Sequence, residues 1–430
     1  MKYLNKAVLG SLIGNVMEFY DFVIYGYLSI YLGQHFFPSD DTTASLLVTF
    51  SVFAGGYLIR PLGSIIFGYI GDVIGRKPAL LYSIVLMSFS TLLMGIIPTY
   101  QQIGIMAPVI LIILRLLQGL AVSGEQGGVI VYLAEYFKMQ KIGILSSLMF
   151  SSVLTGVLLG TLSVVVCQTI LSENVMLVWG WRVPFCFSVI LGLVSLKLRL
   201  DSIESPMFRH SCEIIKQIPI INLVKENFIS CVKMFLLSIT FSVAISFHNT
   251  YLPIFYSKFN TLGMHKGMII SSLGIFWIGL ISPLVGWLSE KIGYIKTIQI
   301  GCLLLFSLGY QIFYLLQQNS IFTIIIVEAV FGVIISLISA PMFAVFVQNF
   351  PAKSRYTGVS LAYNLGMSIF ASSTPIIAIF LFQHPEFRYL IGVFLSLSAL
   401  GGLISLGSLF GIKLKSTIYN GAQYNERTSC

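Results

Sequence analysis

Long apolar stretches separated by short polar breaks run the length of the chain, near 7–33, 44–70, 78–97, 103–134, 143–170, 181–199, 228–257, 267–288, 297–317, 321–349, 356–382 and 387–411. About 20 apolar residues at a rise of about 1.5 Å each cross a hydrocarbon core of about 30 Å, so each stretch predicts a membrane-spanning helix. A helix is the expected form because it satisfies its own backbone polar groups where no water can. The longest polar connection, roughly 200–227, divides the spans into six and six. The expected architecture is an all-α integral membrane protein of twelve transmembrane helices in two pseudo-symmetric six-helix bundles. Its parts are a bundle over 1–200, a central loop over 201–227, a bundle over 228–412 and a short tail over 413–430.

A repeat supports the division. GYIGDVIGRK (68–77) recurs as GWLSEKIGYIK (286–296), with Gly68, Asp72 and Gly75 matching Gly286, Glu290 and Gly293 at one common offset. Repeated six-helix halves are a signature of secondary transporters, with the substrate site between the halves near mid-membrane.

Composition removes the water-soluble alternatives: 57% of residues are hydrophobic, 10% are charged and the mean hydropathy is +0.91. Charge then orients the bundle. Eighteen Lys and Arg residues fall in connections on one side, among them Lys2, Arg76, Lys77, Lys141, Arg199, Lys291, Lys353, Arg355 and Lys413. Only Arg182, Lys258, Lys266 and Arg388 fall on the other. The excess predicts that both termini are cytoplasmic, in a bacterial-type plasma membrane. It also accounts for the net charge of +9 without a nucleic-acid partner, since the basic residues form no single patch interleaved with aromatics. The basic, then apolar, start MKYLNKAVLG superficially resembles a signal peptide, but the run is longer than a signal core and carries Glu18 and Asp21, so a retained helix is expected. The six cysteines show no CxxC or His-partnered spacing, so neither a metal nor a disulfide framework is expected. With no phosphate-binding GxxxxGK[ST] loop and no cofactor fingerprint, ATP-driven transport and cofactor chemistry have no visible support. No nucleophile–base pair suggests an enzyme.

Ionisable residues within the spans are the candidate chemistry, because each is costly at bilayer depth. Glu18 and Asp21 share a face of the first helix and lie about 17–21 Å from its start. A carboxylate loses its charge on protonation, so these two and Glu125 are candidates for proton coupling; a structural hydrogen-bonding role is the alternative. Arg115, also near the midplane, stays charged and so needs a carboxylate partner or an anionic substrate group. Arg60 invites the same two readings, with Glu18, Asp21 or Glu125 as possible partners. Tyr20, Tyr25, Tyr132, Asn249, Tyr251 and Asn364 offer uncharged hydrogen bonds or, for the rings, cation–π contact. Tyr25, Asn249 and Tyr251 join Arg115 and Arg60 as substrate-contact candidates. His248 reads as a satisfied core histidine. Gly156 and Gly160 form a GxxxG that allows close helix packing.

Several segments carry a family resemblance: GNVMEFYDFVIYGYLS in the first span, RPLGSIIFGYIGDVIGRK after the second, LRLLQGLAVSGEQGG in the fourth, WGWRVPF, ESPMF, and FPAKSRYTGVSLAYNLG into the eleventh. Together they resemble the metabolite:proton symporters of the major facilitator superfamily, which include proline/betaine and 2-oxoglutarate carriers. Departures are Phe19-Tyr20 where Trp-Tyr or Trp-Phe is usual, Ser123 for a usual Gly, and Val73 for a usual basic residue. The resemblance implies an inner gate built from Gly68, Asp72, Gly75, Arg76 and Lys77, with Glu135 as partner and Glu290 as the repeat's counterpart. The span-five Gly motif lacks the Pro-Gly extension of superfamily antiporters, which favours symport. The tail lacks apolar heptads, so regulation through a coiled coil is not expected.

The expected function is proton-driven uptake of a small polar metabolite by alternating access, most consistent with a proline- or betaine-like zwitterion. A dicarboxylate such as 2-oxoglutarate is the nearer alternative, and a transporter-like ligand sensor the more distant one. The expected partners are a small-molecule substrate, protons and the lipid bilayer; the number of subunits is left open.

Overall fold

A computed structural model describes residues 2–39, 41–137, 139–210, 219–258, 263–318 and 320–407. The tail expected over 413–430, and 211–218 within the central loop, lie outside the described residues. Among the described residues there is no strand, and twelve helices are long and apolar enough to cross a membrane. They are α1 (Val8–Tyr27), α2 (Ala44–Ile74), α3 (Arg76–Ile96), α4 (Met106–Tyr136), α5 (Ile142–Ile170), α6 (Gly180–Leu200), α7 (Phe228–Tyr256), α8 (Ile269–Ile292), α9 (Tyr294–Leu316), α10 (Ile321–Asn349), α11 (Ala352–Gln383) and α12 (Pro385–Gly407). The largest departure from the sequence reading is in the first span: the helix breaks at Leu28 and resumes as a separate helix, Ser29–Phe36.

The two six-helix bundles meet along α2 against α11 and α5 against α8. Large apolar side chains such as Leu58, Leu193, Leu284 and Ile376 remain exposed on the outside of the helices, as a lipid-facing surface requires. Small residues let the facing helices approach. A Cβ on Gly68 would lie 2.8 Å from the Thr357 Cα of α11, and one on Gly286 would lie 2.8 Å from the Gly143 carbonyl of α5.

Prolines add a second device. Pro61, Pro283 and Pro375 have no N–H to give the carbonyl four residues earlier, which frees Tyr57, Gly279 and Ala371 as acceptors. Serines take up all three: Ser368 Oγ donates to Tyr57 O at 2.6 Å, Ser151 Oγ to Gly279 O at 2.8 Å, and Ser246 Oγ to Ala371 O at 2.6 Å. The first two of these bonds join the halves, one at each of the equivalent interfaces.

Further bonds between the halves run from mid-membrane toward the end that carries the 68–77 loop, called here the basic end. Asn364 Nδ2 of α11 donates to Ser64 Oγ at 2.9 Å and to Ser123 O at 3.1 Å, and Tyr356 Oη donates to Gly124 O at 2.6 Å. The halves are thus closed against each other at the basic end.

Candidate functional site

At the basic end, the chain turns sharply after α2. Gly75 has φ +151°, and its repeat counterpart Gly293 has φ +103°, conformations that only glycine adopts without strain. The turn aims Asp72 at the N-terminus of α11's main helix, Arg355–Gly366. Asp72 Oδ1 accepts from Tyr356 N at 3.0 Å, and Oδ2 accepts from Thr357 N at 3.0 Å and Thr357 Oγ1 at 2.7 Å. A carboxylate there satisfies orphan N–H groups and meets the positive end of the helix dipole. Arg76 closes the site, donating to Asp72 Oδ1 at 2.5 Å, to both Glu135 oxygens at 3.0 and 3.1 Å, and to Ala352 O at 2.9 Å in the other half. Arg355 reaches Glu135 Oε1 at 2.9 Å. Two buried carboxylates and two buried guanidinium groups therefore balance one another.

Glu290 reproduces the arrangement in the second half. Its Oε1 accepts from Gly143 N at 2.7 Å, at the N-terminus of α5, and its Oε2 accepts from Tyr294 Oη at 2.7 Å. Tyr294 stands four residues after Glu290, as Arg76 stands four after Asp72. Lys77 is tied down outside this network: its Nζ donates to Leu200 O at 2.8 Å and Ser202 O at 2.7 Å, while its backbone N–H donates to Glu204. Partial burial pushes the Glu204 carboxyl above the ordinary carboxylate range.

The charges inside the first half divide into paired and unpaired. Glu125 forms a two-pronged ion pair with Arg199, whose Nη1 lies 2.8 Å from Glu125 Oε2, and it also accepts from Ser83 Oγ at 2.9 Å. The sequence reading counted Arg199 among the orientation charges. It is instead buried in this pair, and Arg76 and Arg355 are buried gate partners, because a helix end that packs against another half is not in water.

Neither Arg60 nor Arg115 forms an ion pair with a carboxylate among the described residues. Arg115 Nη1 donates to Phe22 O at 3.2 Å and Gln118 Oε1 at 2.9 Å, and its Nε and Nη2 have no hydrogen-bond partner among the described residues. Arg60 has no hydrogen-bond partner for any guanidinium nitrogen among the described residues. Aromatic faces carry both instead. Arg60 Cζ lies 4.5 Å from the Phe22 ring centroid and 4.2 Å from that of Tyr57. Arg115 Cζ lies 4.0 Å from Phe22, 4.4 Å from Phe53 and 4.7 Å from Tyr25. Both arginines are fully buried. Glu18 is buried with neither oxygen hydrogen-bonded among the described residues, within electrostatic range of Glu125, of Arg60 and of Tyr363 from α11. Asp21 accepts from Thr91 Oγ1 at 3.0 Å, and Gln118 Nε2 donates to the same Thr91 at 2.7 Å.

The uncharged candidates scatter. Tyr25 Oη donates to Thr49 O at 3.4 Å beside Arg115. Tyr20 is tied to Pro184 O at 2.9 Å and Tyr132 to Ile203 O at 2.7 Å, which reads as packing. Asn249 and Tyr251 do not join the arginines. They lie in the second half, where Asn249 Oδ1 is 2.8 Å from His248 Nδ1 and Tyr251 packs against Phe247 and Phe255. His248 is not a lone core histidine: its Nε2 lies 2.9 Å from Glu328 Oε2. Sequence reasoning passed over Glu328, although the rule that found Glu18 applies to a carboxylate seven residues into α10. Among the described residues, no group of His, Cys, Asp or Glu has the arrangement of a metal site.

Two six-helix halves sealed against each other at one end, around buried guanidinium groups without a carboxylate partner among the described residues, have the architecture of a membrane transporter. A family model described as Major Facilitator Superfamily matches residues 11–363 and 260–417, and the chain belongs to that superfamily. Its relatives include the glycine betaine/proline/ectoine/pipecolic acid transporter OusA of Dickeya dadantii and the proline/betaine transporter of Escherichia coli K12. Each is 31% identical over 96% of this chain and 84% of the relative. A putative proline/betaine transporter of Staphylococcus aureus strain MSSA476 is 32% identical over 88% of this chain and 82% of its own length. Among solved structures, the proton:xylose symporter XylE bound to 6-bromo-6-deoxy-D-glucose superposes with a TM-score of 0.79 at 16% identity, covering 95% of this chain and 96% of the other. The protein is a multi-pass membrane transporter, and its relatives are transporters rather than enzymes.

Proposed function

We propose that the chain is a proton-coupled symporter that takes up a proline- or betaine-type zwitterion by alternating access, in the plasma membrane with both termini in the cytoplasm. The observation that carries this reading is the pair Arg60 and Arg115, whose free guanidinium donors sit among Phe22, Tyr25, Phe53 and Tyr57 beside an unpartnered Glu18. A substrate carboxylate supplies the anion those donors lack. The rings and Glu18 suit a substituted ammonium. Glu18 and Asp21 carry the coupling proton in this reading. Glu125, held by Arg199, supports the fold at that depth. The relatives' names favour proline and betaines over other zwitterions. The Lys and Arg asymmetry supports a cytoplasmic basic end, and with that orientation the conformation described is closed inward. The central loop and the two bundles around it are the units that rock against each other.

The two unpaired guanidinium groups also favour a second reading, a dicarboxylate substrate with one carboxylate on each arginine. Uptake into membrane vesicles of labelled proline, glycine betaine and 2-oxoglutarate, with and without a proton gradient, separates the readings. Uptake of the zwitterions that collapses with the gradient is the expected result. Accumulation of 2-oxoglutarate alone transfers the site to the second reading, and ligand binding without any uptake leaves a sensor. Arg115→Ala is expected to weaken apparent substrate affinity by about tenfold or more, since a charged hydrogen bond contributes about 1.5–3 kcal/mol. Unchanged affinity removes Arg115 from the substrate site.

A further inference from the structure

The second half holds an ionisable cluster that the reading above does not use. His248 Nε2 lies 2.9 Å from Glu328 Oε2, Tyr256 Oη donates to Glu328 Oε1 at 2.7 Å, and Asn249 Oδ1 is 2.8 Å from His248 Nδ1. The cluster ties both ends of one bend to α10. His248 and Asn249 sit in a π-helical turn, Phe247–Tyr251, and Tyr256 follows Pro253 on the next segment. Such turns expose the helix ladder to rearrangement and recur at functional sites. From α8 the cluster is met by Gly274, where a Cβ would lie 2.7 Å from His248 Nε2 and 2.9 Å from Glu328 Oε2, so the close fit depends on the absence of a side chain there. The Phe331 ring packs against the imidazole with centroids 5.9 Å apart and planes tilted by 48°. Arg388 is within electrostatic range of Tyr251, three residues along α7 from His248.

The cluster stands in the opposite half from the carboxylates of α1. His248 is about 30 Å along α7 from the basic end, and Glu328 about 10 Å into α10 from the opposite end, at about 1.5 Å per residue. The cluster lies in the outer third of the bilayer, nearer outside water than Glu18 and at about the depth of Asp21.

We propose that His248 and Glu328, held by Tyr256 and Asn249, form a second proton-binding site that answers to external pH and sets how firmly the outer part of α7 is tied to α10. The inference rests on the orientation given above. With His248 Nε2 unprotonated, the imidazole and the Glu328 carboxylate carry one negative charge between them. A hydronium ion from outside water gives up one O–H bond and becomes water, an N–H bond forms on His248 Nε2, and the contact becomes an imidazolium–carboxylate pair. The attraction between α7 and α10 then rises.

The test is substrate counterflow in proteoliposomes, using labelled proline and glycine betaine with internal pH and membrane potential clamped and external pH varied from about 5 to 8, the range in which histidine ordinarily titrates. Counterflow needs no gradient, so its pH profile stands apart from the symport reading, which fails separately if gradient-driven accumulation is absent. The wild-type rate is expected to depend on external pH, and Glu328→Gln and His248→Gln to flatten that dependence while counterflow persists. Tyr256→Phe keeps both ionisable groups and removes one donor to Glu328, so it is expected to move the midpoint without abolishing it; this variant decides the matter if the Gln variants fail to fold. A flat wild-type profile, Gln variants that superimpose on wild type, or an unmoved Tyr256→Phe midpoint where the Gln variants are inactive would each overturn the proposal.

Discussion

Asp72 and Glu290 occupy equivalent places in the two halves, and both do the same local thing. Each ends a helix before a glycine with positive φ, and each accepts a backbone N–H at the start of a helix in the opposite half. They differ in what stands four residues later. Arg76 links Asp72 to Glu135, Arg355 and the Ala352 carbonyl, whereas among the described residues Tyr294 carries Glu290 into no ion pair. The repeat thus preserves the capture of a helix end, which depends on backbone geometry, while the ion-pair network was built on one side only. One latch is a cap, and the other is a cap embedded in a balanced set of buried charges.

That contrast predicts unequal costs. Asp72→Asn leaves the remaining guanidinium pair facing a single carboxylate, and an uncompensated buried charge costs about 3–5 kcal/mol. The expected result is increased labelling of a cysteine placed at Ser360 from the basic side, together with loss of uptake. Glu290→Gln removes hydrogen bonds to one charged group, about 1.5–3 kcal/mol, and should give a smaller rise in labelling of a cysteine at Ser147. Equal effects would break the comparison. The glycines come next: a positive-φ, extended-ψ conformation costs a non-glycine residue about 1–3 kcal/mol, and the Cβ of Gly75→Ala would also lie 2.5 Å from Glu204 Oε2, whereas that of Gly293→Ala meets nothing within 4 Å. Gly75→Ala should therefore lower the thermal midpoint in detergent more than Gly293→Ala. Ser368→Ala and Ser151→Ala, which strip the two proline-freed carbonyls of their donors, should each cost about 1 kcal/mol and by similar amounts.

The smallest effect concerns pH. Burial raises the folded-state pKa of Glu204, so its protonated form favours folding; that contribution is full below the unfolded value and is lost as pH rises through the folded one. Glu204→Gln is expected to flatten the stability curve there, read as the thermal midpoint against pH. His35, at the opposite end, has the reverse sign: burial lowers its pKa, so its contribution is full above the unfolded value and fades as pH falls toward the folded one.

The fold was largely legible because span length is set by bilayer thickness, and each helix announces itself through a run of apolar residues. The loop repeat was legible for a similar reason, since a turn that requires glycine leaves little choice of residue. The site was legible only in part. Rarity of charge inside a span marked Glu18, Asp21, Arg60, Arg115 and Glu125, but it could not say that Glu125 is spoken for by Arg199 while Arg60 and Arg115 rest on aromatic rings. Arg199 was concealed by its position at the end of a span, where an arginine ordinarily reaches water.

By itself the sequence determined the number of spans, their grouping in two halves, the loop repeat and the set of costly charges, because these follow from the local match between side chain and solvent. The tertiary structure alone decided which charges neutralise one another, which serine takes up each proline-freed carbonyl, and that His248 meets Glu328. Those outcomes depend on which faces of distant helices meet, and helices surrounded by lipid can present an apolar face in many directions at little cost.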